Sequence, residues 1–410
     1  MDILTSFPIE EVRAQFPALQ RRHNGFPVAY LDGPGGSQTV RAAIDAVSGY
    51  MCRGGANLHG PFPSSRETEA LIAEARQAVA ALFNAAPNEV AFGANTTTLI
   101  FQVSRALATT WQPGEEIILT ELDHHGNIDP WRLAAEDRGL TVKYIPLDTG
   151  TLTLDLSALP DLLSHKTRLV ACGAASNCIG TVSDVKTIAA AARSVGAVVA
   201  LDAVHAAPHF YLDKKALSVD ILFCSAYKFF GPHVGMAVIS TPLFESLPVY
   251  KLVPAPDHIP DKLETGTQNH EGIPGVTAAI GFIASLGCGD DLATRIQSGY
   301  NRLEAYENAL ANIIRRELPY IPGITLFQPP PEALKTPTIA FRAEGHDNHE
   351  FCRRMCDEHG VFIADGDFYA YTIPRKLGID KSGFIRAGLA PYNTTEEVER
   401  FLNGVRELMK

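Results

Sequence analysis

The sequence predicts an α/β protein: a large domain built on a mostly parallel sheet covered by helices, then a smaller α+β domain at the C-terminal end. Three observations carry this expectation. Short apolar runs alternate with helical stretches up to about residue 240, the pattern of strands buried on both faces by crossover helices. At 410 residues the chain exceeds what one hydrophobic core usually serves. Near Val253 the character changes to the Pro- and Gly-rich stretch KLVPAPDHIPDKLETGTQNHEGIPG, after which a long helical region and a second group of apolar segments follow. The boundary is expected between 270 and 285.

Taken in order, the first confident element is the helix in PSSRETEALIAEARQAVAALFNA, where Ser64 stands three residues before Glu67 as in a capping box, with apolar residues at Leu71, Ala75, Val79, Leu82 and Phe83. The runs EVAF, EIILT, LTVKYI, RLVACGAA, AVVALDA and DILFCSA read as strands, and KTIAAAARSVG as the clearest helix between two of them. In such sheets ligands bind outside the carboxyl ends of the strands, where loops converge and helix N-termini point at the opening. Polar residues just after an apolar run are therefore the ones to examine.

Composition narrows the function classes. The formal net charge is −11 and no Lys/Arg-rich run occurs, which argues against a broad basic surface for nucleic acid or an anionic membrane. The start, MDILTSFPIEEV, lacks a signal-peptide pattern and no apolar run approaches membrane-spanning length, so a cytoplasmic enzyme is the simple expectation. The seven cysteines (52, 172, 178, 224, 288, 352 and 356) lack CxxC spacing, so neither a disulfide framework nor a zinc site is suggested. Cys352 and Cys356 lie one helical turn apart without a pattern that completes a metal site, and no metal is expected.

Asp202 follows five apolar residues in AVVALDAVHAAPH and should emerge from a buried strand. In DILFCSAYKFFGPHVG, Ser225, Tyr227 and Lys228 directly follow another strand, before two aromatics and a Gly-Pro turn. Partial burial lowers a lysine's pKa and makes its nucleophilic neutral form accessible. Pyridoxal phosphate needs such a lysine for its aldehyde, a carboxylate at its pyridine nitrogen and donors for its phosphate. Lys228 and Asp202 meet the first two needs. The threonines of VAFGANTTTLIFQVS, after a strand and before a helix, suit the third.

With these residues in place the chain resembles the class V aminotransferase family, and within it the branch of cysteine desulfurases and selenocysteine lyases. The resemblance runs from AYLDGPGGSQ to FIRAGLAPYNTTEEVERF. It implies the pyridoxal-phosphate fold type I, with residues 1–25 packing on the small domain, 26–275 as the cofactor-binding domain and 276–410 as the small domain. It implies a Schiff base on Lys228, Asp202 at the pyridine nitrogen, His124 stacked on the cofactor ring, and Asn177 and His205 near the phenolic oxygen. Thr96, Thr97, Ser225 and Tyr227 would hold the phosphate. Thr267 would reach the phosphate of a partner subunit, implying a homodimer with shared active sites. Arg386 would clamp an amino acid's α-carboxylate, and His59 would stand near the pocket. His125 reads as a satisfied loop residue.

The resemblance breaks in VFIADGDFYAYTI, which corresponds to the loop that carries the desulfurases' nucleophilic cysteine. Gly366 is followed by Asp367, Phe368 and Tyr369, no cysteine follows Cys356, and Ala364 stands where those relatives tend to carry arginine. The reaction expected from a lysine and cofactor without a protein thiol is β-elimination or carbon–sulfur lysis. Transamination, epimerisation and a non-catalytic cofactor-binding role remain as alternatives.

Overall fold

The computed structural model describes residues 3–410, so Met1 and Asp2 of the expected N-terminal segment lie outside the described residues. All six runs read as strands form one seven-stranded sheet, in the spatial order 90–93, 235–239, 221–225, 198–202, 167–173, 116–120, 141–145. Neighbouring strands run parallel except Gly235–Ile239, which is antiparallel to both of its neighbours. That strand is absent from the sequence reading, because a glycine and the GPHV turn open it. Gly235 has a packing reason: a Cβ there would come within 2.6 Å of the Asn95 backbone, so only glycine lets this strand lie against the loop that begins the next helix.

Alternate residues of each strand face opposite sides of the sheet. Ile118, Val170, Val199, Leu201 and Leu222 join one core, while Ile117, Leu119, Ala171, Ala200 and Phe223 join the other. Covered on both faces, the strands carry unbroken apolar sequences, which is why they were legible.

The helix expected from Ser64 spans Pro63–Phe83, but its N-cap position is Phe62 and no side chain caps it. The capping-box reading is therefore corrected. Pro63 starts the helix with a preset φ and no amide to satisfy. Ser65, not Ser64, ties the preceding turn, its hydroxyl donating to Asn57 O at 2.6 Å and accepting from Gly60 N at 2.8 Å.

A second, antiparallel sheet has the order 324–327, 338–343, 384–388, 364–366. Its strand Phe384–Gly388 is wholly buried, as expected for FIRAG. The N-terminal segment is stitched to this part of the chain: Ala29–Tyr30 pairs with Val361–Phe362, Asp32 bridges to Gly388, and Phe7 stacks on Tyr306 at 4.0 Å. The helix Ile273–Ser285 packs against helices Arg41–Arg53, Pro63–Phe83 and Leu292–Glu317. No helix among the described residues is long and apolar enough to cross a membrane.

Candidate active site

The carboxyl ends of strands 90–93, 116–120, 167–173, 198–202 and 221–225 open on one cavity of about 650 Å³, within the size range of small-molecule sites. Ten of the expected site residues line it: Thr96, Thr97, His124, Asn177, Asp202, His205, Ser225, Tyr227, Lys228 and Arg386. His59 and Thr267 do not. His59 is exposed, with Nδ1 3.2 Å from Glu69 Oε1, and Thr267 is an exposed loop residue. The expectation that His59 stands near the pocket is corrected for this chain alone, because its loop turns toward the start of the helix carrying Glu69.

On one side of the cavity the helix Thr96–Ala108 begins, capped by Asn95, whose Oδ1 accepts from Thr98 N at 2.9 Å. The cap is thus Asn95 and not a threonine. Ser225 Oγ lies 2.8 Å from Thr96 Oγ1 and accepts from Thr96 N at 3.1 Å. Hydroxyls at a helix N-terminus form a ready cradle for a phosphate. Tyr227 stacks on His233 with ring centroids 4.6 Å apart; His233 also lines the cavity and was not anticipated.

Asp202 ends its strand with Oδ1 accepting from Val204 N at 2.9 Å. Burial raises its carboxyl to about 6, opposed by the Val204 amide and Lys228. Asp123, beside it in charge and missed in the sequence, is raised by burial to about 7. It accepts from Thr120 Oγ1 at 2.7 Å, Gly173 N at 2.9 Å and Asn127 Nδ2 at 2.8 Å. Its signal was available: it follows EIILT as closely as His124 does.

His124 accepts Gly126 N at Nδ1, 2.9 Å away, and burial, then Lys228, hold it down to about 4. It is a neutral imidazole with its proton on Nε2. Tyr369 stacks on it at 5.5 Å. His125 is satisfied by Asp129 and Thr372, as expected.

Arg386 is 3% exposed. Its Nη1 donates to Asn177 O and its Nη2 to Asp32 Oδ1, each at 3.0 Å, and its Cζ lies 3.7 Å from the centroid of the Phe368 ring. Asn177 lines the cavity, but its Nδ2 donates to Phe368 O at 2.8 Å, while its Oδ1 is buried without a partner. The Asp367–Tyr369 loop therefore holds Asn177, Arg386 and His124 at once. Phe368 and Tyr369 adopt positive φ values of 55° and 58°, a strained conformation for aromatic residues that must be maintained by these contacts.

Lys228 is 8% exposed, with Nζ donating to Pro34 O at 2.5 Å and Gly35 O at 3.1 Å. Desolvation, then Arg386, lower it to about 8, while Asp32 and Asp202 oppose the shift. A buried lysine with accessible neutral form, a buried carboxylate across the same cavity and a hydroxyl-lined helix N-terminus together form the set that pyridoxal phosphate requires.

A model of the family described as aminotransferase class-V matches residues 29–401. The chain belongs to that family. It is a pyridoxal-phosphate-dependent enzyme of the cysteine-desulfurase-like branch. It is 31% identical over 420 residues to a cysteine desulfurase of Pectobacterium carotovorum subsp. carotovorum, covering 98% of each chain. To one of Serratia proteamaculans it is 32% identical over 421 residues, covering 99% of each. Among solved structures it is similar to the cysteine desulfurase CsdA of Escherichia coli, with TM-score 0.85 and 28% identity, and to a cysteine desulfurase of Thermococcus onnurineus NA1, with TM-score 0.87 and 26% identity; both alignments cover 98% of each chain.

For a class V aminotransferase-family enzyme the poise of Lys228 is testable. The ammonium dominates below about 8, so capture of Lys228 by pyridoxal phosphate, trapped with borohydride and read by peptide mass, should speed up as pH rises through about 8. Asp32 stabilises the cation, so Asp32→Asn should move that midpoint to lower pH. A midpoint at the ordinary lysine value, or an upward shift in the variant, would contradict this electrostatic account.

None of the seven cysteines lines the cavity. One trio of metal-capable side chains lies together elsewhere among the described residues, His23, Cys356 and Asp357. There His23 Nε2 is 3.0 Å from Asp357 Oδ1, and Arg353 already donates to Asp357 Oδ2, so a hydrogen-bonded ion pair accounts for the grouping.

Proposed function

We propose that this enzyme breaks the Cβ–sulfur bond of a sulfur-bearing amino acid by β-elimination, without forming a persulfide on the protein. The observation that carries the reading is the loop after Gly366, where Asp367, Phe368 and Tyr369 face the cavity and no cysteine does. Phe368 covers the Arg386 guanidinium, so the wall beside the carboxylate clamp is aromatic and not thiol-bearing.

The geometry supports the following residue roles. Thr96, Thr97, Ser225 and Tyr227 would hold the cofactor phosphate, and Asp202 would meet the pyridine nitrogen. When bound, pyridoxal phosphate supplies the electron sink for the pair released at the substrate Cα. Arg386 takes the substrate carboxylate, replacing the single-sided contact with Asp32 by a two-pronged one. Lys228 Nζ removes the Cα proton as general base, and the electron pair then expels the sulfur substituent from Cβ. For L-cysteine the balanced outcome, with one water consumed, is pyruvate, ammonia and sulfide. Desolvation keeps Lys228 near neutral pKa for this task. His124, neutral with Nε2–H, is a donor beside the cofactor ring.

In the same reading, residues 26–275 hold the cofactor, 276–410 supply the substrate clamp, and 1–25 pack on the latter. A cytoplasmic homodimer brings Thr267, exposed here, to the phosphate site of the partner. The carboxylate clamp supports turnover over mere cofactor carriage, because a carrier has no use for Arg386.

The test replaces the four cysteines outside the buried strands and loops near the cavity, Cys52, Cys288, Cys352 and Cys356, by serine or alanine and measures sulfide release from L-cysteine and pyruvate release from L-cystine. Activity within about threefold of the parent is expected: Cys52 and Cys288 are exposed, Cys356 is half-buried, and Cys352, buried on its helix, is replaced by a side chain of similar or smaller size away from the cavity. Loss of sulfide release with folding intact would sink the thiol-free reading.

A further inference from the structure

His205 is 4% exposed and lines the cavity. Its Nε2 lies 2.9 Å from Thr338 Oγ1 and 3.1 Å from Thr336 Oγ1. Both threonines come from the C-terminal sheet region: Thr338 opens the strand Thr338–Ala343 and Thr336 precedes it. Thr336 Oγ1 donates to Thr338 Oγ1 at 2.9 Å. The Thr338 proton then has one acceptor among the described residues, His205 Nε2. The reverse chain would have to end on Gly180 O, which is 3.4 Å from Thr336 Oγ1 and already accepts Thr336 N at 2.9 Å. The short chain is the stronger one. Burial, with His209, Lys228 and Arg386 nearby, keeps the His205 ring neutral. A neutral imidazole that accepts at Nε2 carries its proton on Nδ1. Among the described residues Nδ1 has no partner, it is not among the sealed, unpartnered atoms, and the residue lines the cavity, so this nitrogen is the one left for a group bound there.

We propose that Thr338, backed by Thr336, is a positioning residue that fixes His205 as the Nδ1–H tautomer and so lets the C-terminal sheet set a hydrogen-bond donor in the cofactor cavity. The inference rests on the reading of this cavity as the pyridoxal-phosphate site. Because the donor is fixed by a strand of the other sheet, a shift of that sheet relative to the large one changes the donor presented to the cofactor. Gly180 closes the arrangement: its φ is +78° and a Cβ there would stand 3.0 Å from both Thr336 Oγ1 and Thr338 Cβ.

The test has two parts. In the cofactor-free full-length protein, ¹⁵N spectra of the His205 ring, assigned by loss of its signals in His205→Gln, should show Nδ1 protonated and Nε2 as an acceptor. Thr336→Val together with Thr338→Val keeps the shape but removes both hydroxyl protons within reach of Nε2 and should shift the ring toward Nε2–H, whereas Thr338→Ser should retain the parent tautomer. In the holoprotein, the Thr336→Val, Thr338→Val pair should move the midpoint of the pH-dependent absorbance change of the lysine-bound cofactor by about half a unit or more, a differential interaction of about 0.7 kcal/mol or more. The same pair of substitutions should have no effect in the His205→Gln background, which has no ring tautomer to fix. An Nε2–H ring in the parent protein would overturn the proposal, as would equal effects of the Thr336→Val, Thr338→Val pair in both backgrounds. An Nδ1–H ring in a protein whose Lys228 takes up no pyridoxal phosphate would instead overturn the cofactor-site reading and leave the tautomer standing.

Discussion

Lys228→Ala should yield a folded protein that has lost the visible absorbance of lysine-bound cofactor and all measurable turnover. In the proposed reaction the side chain has two tasks that no neighbour can assume. Its Nζ is the amine that opens on the cavity while being held by Pro34 O and Gly35 O; Arg386, the other buried cation lining the cavity, stays protonated throughout the working pH range. Removing the proton-transfer function alone costs roughly 10²–10⁴-fold in rate, and loss of the covalent anchor adds to it. Folding should survive, because the deletion removes a buried cation that desolvation opposes. Circular dichroism checks the fold, and absorbance after incubation with pyridoxal phosphate checks the anchor. Retention of the lysine-bound band in the variant would place the Schiff base on another residue.

Arg386→Lys should leave the cofactor bound and reduce kcat/KM for amino acids by about 30-fold to more than a thousand-fold, the equivalent of about 2–5 kcal/mol for truncating one partner of a buried charge pair. The guanidinium spans two acceptors on different segments, Asn177 O and Asp32 Oδ1. One ammonium cannot reproduce that fork. It also loses the flat face on which Phe368 lies at 3.7 Å, so the aromatic loop loosens as well. The effect should appear mainly in KM for carboxylate-bearing substrates. Cysteamine, which lacks the carboxylate, provides the control: its slow turnover should change little. An equal loss with cysteamine would show that Arg386 acts through the loop and not as a carboxylate clamp.

The parts of this site that were legible share one physical origin. Strands buried on both faces are written as unbroken apolar runs, and the residue after such a run emerges at the ligand edge of the sheet. Asp202, Ser225, Lys228 and His124 follow that rule, and so does Asp123, which the same rule could have found. Strand Gly235–Ile239 escaped because it is introduced by glycine directly after the GPHV turn and breaks the alternation of strand and helix by running antiparallel to its neighbours. Asp32 escaped for a different reason. Its partner Arg386 lies 354 positions away, and only the bridge of Asp32 to Gly388, made by threading the N-terminal segment beside the C-terminal sheet, brings them together. The threonines behind His205 are likewise more than 130 positions from it in sequence. The grip of the Asp367–Tyr369 loop on Asn177, Arg386 and His124 was equally invisible. In the sequence Asp367, Phe368 and Tyr369 were simply the residues after Gly366, whereas the structure shows their loop in contact with three site residues.

Elimination without a protein thiol dictates the carbon product of L-cysteine turnover under reducing conditions: pyruvate and ammonia form in equal amounts with sulfide. Alanine in place of pyruvate and ammonia would contradict it, because it is the carbon product left when sulfur passes to a protein thiol.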